Sequence, residues 1–231
     1  MEPTLYKKKI TTVVKEYYKI LKDQDGIISS DSIKEVYGPE SLYPPPGQAP
    51  IIDRETFISS IRSYFESYGR KMKDMIAASV GPQEQIDAAE ENMFADIWAI
   101  APLLRQVYPA EFAEKVLQSL RSIALLNLQI VDSARRSIDS KMWEDRLAPW
   151  PVNDLSYNFN SYNNLIDREQ VRSFWLTATN SWISALKAKV NKDEAGFNQY
   201  ISQADDALGS FSSMVSQAII NRNSGLFTPA A

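Results

Sequence analysis

Neither histidine nor cysteine occurs anywhere in the 231 residues. The first absence excludes Ser-His-Asp and Cys-His nucleophile systems, imidazole metal ligands and any side chain that titrates near neutrality unperturbed. The second excludes thiolate nucleophiles, zinc–sulfur sites, iron–sulfur clusters and disulfides. Glycine is scarce as well. The eight glycines lie far apart, and neither GxGxxG nor GxxxxGK followed by Ser or Thr occurs, so no phosphate-cradling loop is encoded. Long apolar runs are also missing. The longest strongly apolar stretch, Ile123 to Val131, is interrupted by Asn127 and Gln129; it is about half the roughly 20 residues a membrane-spanning helix needs. The first 22 residues carry six lysines and no apolar stretch of signal-peptide length, which favours an intracellular protein. Lack of cysteine suits a reducing cytosol without requiring one. The net charge of −4 is mild and does not suit general nucleic-acid binding, which calls for a basic excess.

What is present reads as helix. Hydrophobic residues make up 44% of the chain, enough for a substantial core. They recur with a period of 3.6, and period-two alternation is hardly visible. The expected fold is all-α, a bundle of about six helices with a Pro-rich arm or linker near the N-terminus. The expected division is an N-terminal helical segment over 1–41, a Pro-rich linker over 42–52, the main bundle over 53–222 and a frayed tail over 223–231.

A first helix is predicted from about Leu5 to Lys22, with Ile10, Val13, Tyr17 and Ile20 on one face and Lys8, Lys15, Lys19 and Lys22 opposite. A short helix follows from Ser32 to Tyr37, opened by the Ser32–Glu35 capping pair and closed by Gly38-Pro39. The segment LYPPPGQAP, from Leu42 to Pro50, forbids helix and favours polyproline II. A second long helix starts at the N-cap Asp53 and runs to about Val80, with the stripe Phe57, Ile61, Tyr64, Phe65, Tyr68, Met72, Met75 and Ile76. Gly81-Pro82 separates it from a third over Gln83 to Ile100, which Pro102 kinks or restarts. Pro109 opens a fourth, extending to Arg146, apolar nearly all round from Ala124 to Val131 and therefore central. Trp150 to Asn164 is rich in Asn, Ser, Tyr and Pro and is expected to be irregular. Two helices close the chain as an antiparallel hairpin turning at Asn191-Lys192. Asp167 to Val190 presents Val171, Trp175, Thr179, Trp182, Leu186 and Val190. Asp193 to Asn221 presents Phe197, Ile201, Ala204, Leu208, Phe211, Val215 and Ala218, spaced 4-3-4-3-4-3 like a knobs-into-holes seam.

Several constellations could carry chemistry. Asp23, Asp25 and Gly26 look like a piece of a calcium loop. With Gly26 at the sharp turn, however, Leu21 takes the first ligand position and Ser32 the last, where a bidentate Glu is needed. A polar inter-helix loop is the simpler account, and no metal or cofactor is expected. The lysine face of the first helix could meet an anionic surface, although lysines also belong on the wet side of a core-facing helix. Glu84, Asp87, Glu90 and Glu91 suit the dipole of a helix start. Asp205 and Asp206 fall mid-helix, where that reason lapses; solvation or pairing with a neighbouring helix is expected, and a functional carboxylate is the alternative. Asn127 occupies a core-type position, where a buried amide commonly fixes register. The partner-binding candidates are Pro44, Pro45 and Pro46 in the arm, Trp150 beside Pro151, and Lys8, Lys15, Lys19 and Lys22. The function expected is non-catalytic: a scaffold, adaptor or assembly component that binds another protein or itself. The alternatives are a membrane-surface or nucleic-acid binder acting through the first helix, and a pocket protein or carboxylate-based enzyme.

Overall fold

A computed structural model describes residues 52–95 and 97–228. All lie in the second of the two units into which the chain divides, Pro50–Ala231. The first two predicted helices, the lysine face (Lys8, Lys15, Lys19, Lys22), the Asp23–Asp25 loop and Pro44 to Pro46 lie outside the described residues.

The described chain is all-α. Its α-helices are α1 (Arg54–Ala78), α2 (Gln83–Ala95), α3 (Ile100–Arg105), α4 (Ala110–Arg135), α5 (Lys141–Leu147), α6 (Asn153–Tyr162), α7 (Arg168–Val190) and α8 (Glu194–Arg222). None is long and apolar enough to cross a membrane. Three of the long helices begin on an aspartate that accepts a hydrogen bond from the backbone N–H three residues on. Asp53 accepts from Thr56 at 2.8 Å, Asp167 from Gln170 at 2.7 Å and Asp193 from Gly196 at 2.9 Å. Each satisfies one of the orphan N–H groups of a helix start.

Helices α1, α4, α7 and α8 surround one aromatic cluster. All eight predicted stripe residues of α1 are buried, as are all seven seam residues of α8. Phe211 packs edge-on against Phe65 at 4.9 Å, Phe159 at 5.5 Å and Trp175 at 5.5 Å, and Tyr68 meets Trp175 at 5.7 Å. The Trp175 and Trp182 indole nitrogens are buried there without a hydrogen-bond partner among the described residues, so ring packing holds the cluster. Tyr68 anchors it to α4 by donating from its hydroxyl to the Leu120 carbonyl at 3.0 Å. The centre therefore includes α1 beside the three helices expected there.

Five expectations need correction. The third predicted helix ends at Ala95, and a 3-10 turn over Ile97–Ala99 leads into α3. Pro102 lies in the first turn of α3, where its missing N–H costs nothing. The fourth predicted helix ends at Arg135, not Arg146. Ser137 there takes φ 54°, Ile138 N–H donates to Ser133 O at 2.8 Å and Ser137 N–H to Ala134 O at 3.1 Å. That is a Schellman closure with serine in the usual glycine position. The same closure ends α7, with Lys192 at φ 61° and Asp193 N–H donating to Ala188 O at 2.9 Å; it makes the expected α7–α8 turn. Val190 at that turn is exposed, outside the core stripe predicted for it.

The supposedly irregular segment after Trp150 is mostly helix. Ala148–Val152 forms a π turn, and α6 follows without a break. Pro149 and Pro151 cannot donate to an i→i−4 ladder, yet their fixed φ suits a helical path, so the turn widens locally. Val152, Leu155, Ser156 and Phe159 are buried, at i, i+3, i+4 and i+7. Finally, the tail is pinned through Thr228. Ile52 N–H donates to Leu226 O at 2.7 Å and Thr228 N–H to Ile52 O at 2.9 Å, while Phe227 packs edge-on against Phe57 at 5.1 Å.

Candidate functional site

Of the singled-out residues, Trp150, Asn127, Glu90, Asp205 and Asp206 are among those described. Trp150 is half-buried inside the π turn, between an exposed Pro149 and a buried Pro151. It lies in a helical turn where an irregular segment was expected. Asn127 is buried, and its side-chain amide donates to Ile123 O at 2.9 Å, a bond within its own helix and not across a register. Glu90 is half-buried; burial first, then the Asp87 and Asp132 carboxylates, push its carboxyl above the ordinary glutamate range. Among the described residues, no three acidic side chains are gathered to hold a metal.

Asn163 performs the cross-helix bonding that Asn127 does not, and nothing in the sequence pattern marks it. Its buried amide donates to the Tyr108 hydroxyl at 2.9 Å and to Ala218 O at 3.0 Å, and its oxygen accepts from Leu165 N–H at 3.0 Å. This ties the α6–α7 corner to α8. With every bond turned inward, its role is structural.

Asp205 and Asp206 belong to a groove of about 810 Å³ between α1 and α8. Its floor is Phe65 and Leu208. The α1 wall carries Arg62, Glu66, Arg70 and Lys73, and the α8 wall carries Asp205, Asp206, Gly209, Ser210 and Ser213. Arg62 and Glu66 pair at 2.7 Å. Among the described residues, Arg70, Lys73, Asp205 and Asp206 form no ion pair within 4.0 Å. The two walls meet closely at one point. A Cβ added to Gly69 would stand 2.9 Å from Asp205 Oδ1 and 3.1 Å from Leu208 Cδ1, so glycine there lets α8 approach.

Gly209 has no such reason among the described residues. A Cβ added to it would meet none of them within 4 Å, yet glycine in a helix interior is destabilising by roughly 0.5–1 kcal/mol relative to alanine. Its carbonyl accepts from the hydroxyls of Ser212 and Ser213, each at 2.9 Å. The result is a strip of small side chains over nearly bare backbone.

Partial burial pushes the Asp205 carboxyl above the ordinary aspartate range; Lys73 opposite pulls it down, and Asp206 and Glu66 push it up. A raised folded-state value means the folded chain holds this proton more tightly than the unfolded one. The contribution to stability is therefore full below the unfolded value and lost as pH rises through the folded one. Asp205→Asn is expected to leave the melting temperature unchanged or slightly higher at neutral pH, with the difference vanishing on acidification. A clear loss of stability in a pH series of thermal melts would contradict this.

No protein-family model matches the chain, and neither curated proteins nor solved structures give a match.

Proposed function

We propose that this chain is a non-catalytic helical interaction protein, a component of a larger assembly that binds another protein through one end of its bundle. The reading is carried by the large apolar side chains left in solvent. Six are exposed among the described residues: Val80, Ile138, Met142, Tyr157, Leu165 and Val190. Singly such residues are ordinary; gathered, they mark contact surfaces.

Four of the six share one end. The Ile52–Phe227 bridge joins the start of α1 to the residues after α8, so α1 ends where α8 begins. Val80 follows α1, and Val190 ends α7 at its turn into α8. The Arg135–Gln83 side-chain bond brings the end of α4 to the start of α2. Lys187 pairs with Glu144 at 3.5 Å, bringing α5 to the end of α7. Ile138, between α4 and α5, and Met142, in the first turn of α5, thus share that end.

Several of the charges around them are paired within the chain. Arg136 pairs with Asp132 at 3.0 Å, Lys141 with Asp145 at 2.5 Å and Lys189 with Glu194 at 2.7 Å. Apolar side chains framed by internally paired charge suit a protein surface better than an anionic membrane or a nucleic acid, which select unpaired cations.

Replacing Ile138, Met142 and Val190 together with serine should move stability little, because each change is on the surface. In quantitative capture from native extract, proteins retained by the native chain should be lost from the variant. Identical capture profiles with intact folding would overturn the proposal.

A further inference from the structure

We propose that the α1–α8 groove is a self-association surface that receives the same groove of a second copy, about a two-fold axis running along the helices. The inference rests on the reading of this chain as an interaction protein, but on a different surface from the apolar bundle end.

The charges select the occupant. One wall presents the cations Arg70 and Lys73, and the facing wall the carboxylates Asp205 and Asp206; across the groove Lys73 acts on Asp205 only at longer range than an ion pair. A ligand of one sign, whether a phosphate or a polyamine, is attracted by one wall and repelled by the other. The occupant must carry both signs at the spacing of α1 and α8. A second copy has that spacing by construction. Gly69 packs on Asp205, so Arg70 and Lys73 stand close to the level of Asp205 and Asp206 along the helices. A two-fold axis lying in the groove parallel to the helices keeps that level and exchanges the walls. It sets the α1 cations of each copy over the α8 carboxylates of the other, the reciprocal pairing of an isologous interface. The net charge of −4 adds little long-range repulsion between copies.

Gly209 is an independent pointer. Among the described residues, nothing occupies the position of its missing Cβ, although glycine disfavours the helix that contains it. In the two-fold arrangement the α1 of the second copy lies over Gly209, Ser210 and Ser213. Small side chains there allow two helix backbones to approach. Self-association accounts for both the divided charge and the glycine.

The test is sedimentation equilibrium of the full chain over a range of concentrations and salt. A monomer–dimer equilibrium that weakens with salt is expected, because rim charges are screened. Gly209→Leu fills open space in the monomer, so its melting temperature should stay within a few degrees of the native value while dimer affinity falls at least about tenfold. Arg70→Glu with Lys73→Glu makes both walls acidic, and Asp205→Lys with Asp206→Lys makes both basic. Each double variant alone should be monomeric, and mixing the two should restore a dimer. A native chain that stays monomeric throughout overturns the proposal, as does a dimer indifferent to Gly209→Leu. So does a monomer that loses a different protein from extract on Gly209→Leu, since the groove then receives another chain. Capture through the apolar end is read separately, with Gly209→Leu as bait. If it persists, the interaction reading stands even where the dimer fails.

Discussion

Phe211→Ala is expected to destabilise the fold by roughly 3–5 kcal/mol, the usual cost of truncating a fully buried aromatic. Phe211 has no exposed surface. Its ring is a point at which α1, α6 and α7 all meet α8, through Phe65, Phe159 and Trp175. Removing it leaves three ring edges facing a void, and a packed core closes such voids only in part. Domains are commonly stable by about 5–15 kcal/mol in total, so the variant should lose a large fraction of its margin. Denaturant unfolding should show a lowered midpoint with an unchanged slope, the signature of lost stability without a changed unfolded state. A variant as stable as the native chain but defective in association would mean that the seam faces a partner and not its own core.

Residues of this kind were legible from spacing alone. The α1 stripe repeats at 3.6-residue intervals, the α8 seam alternates steps of four and three, and both are buried throughout. The Asp53 cap was legible for the same local reason: a short acceptor at a helix start has one obvious task. What escaped was set by backbone geometry or by tertiary pairing. Nothing in Ser137 advertises a left-handed residue, so the end of α4 was invisible without the Schellman bonds that close it. The composition of Trp150 to Asn164 argued for a loop. There the burial of Val152, Leu155 and Phe159 against the bundle outweighs the weak helix preference of Asn, Ser and Tyr.

The candidate site shows the same division more sharply. Asp205 and Asp206 stood out because no dipole argument excused acidic residues mid-helix. Arg70 and Lys73 did not stand out, because cations on the wet face of an amphipathic helix are ordinary. Only the pairing of α1 with α8 makes one groove of them, and a pairing between helices more than a hundred residues apart has no local signature. Gly209 carries no local signature either: only the helix pairing shows that, among the described residues, the space over it is open.

The tail is where a purely local reading errs most, and Phe227→Ala measures the error. A frayed end predicts no effect. The structure predicts a loss of roughly 3 kcal/mol, at the low end for a buried phenylalanine because the site is at the edge of the bundle. For a domain of this size that corresponds to a fall in melting temperature of about 6–12 °C. Phe227 is only 6% exposed and meets the Phe57 ring at 5.1 Å. The backbone on either side of it is bonded to Ile52 at 2.7 and 2.9 Å, and Arg54 N–H donates to the Thr228 hydroxyl at 3.1 Å. The ring thus holds in place the contact that joins the entry of α1 to the exit of α8. Amide exchange supplies a second readout at the same point. The Ile52 and Thr228 amides should exchange slowly in the native chain and much faster in Phe227→Ala, while the amides at the centre of α8 keep their protection relative to global unfolding. Fast exchange at both positions in the native chain, with an unaltered melting temperature in the variant, would return the segment to the frayed state that its composition suggests.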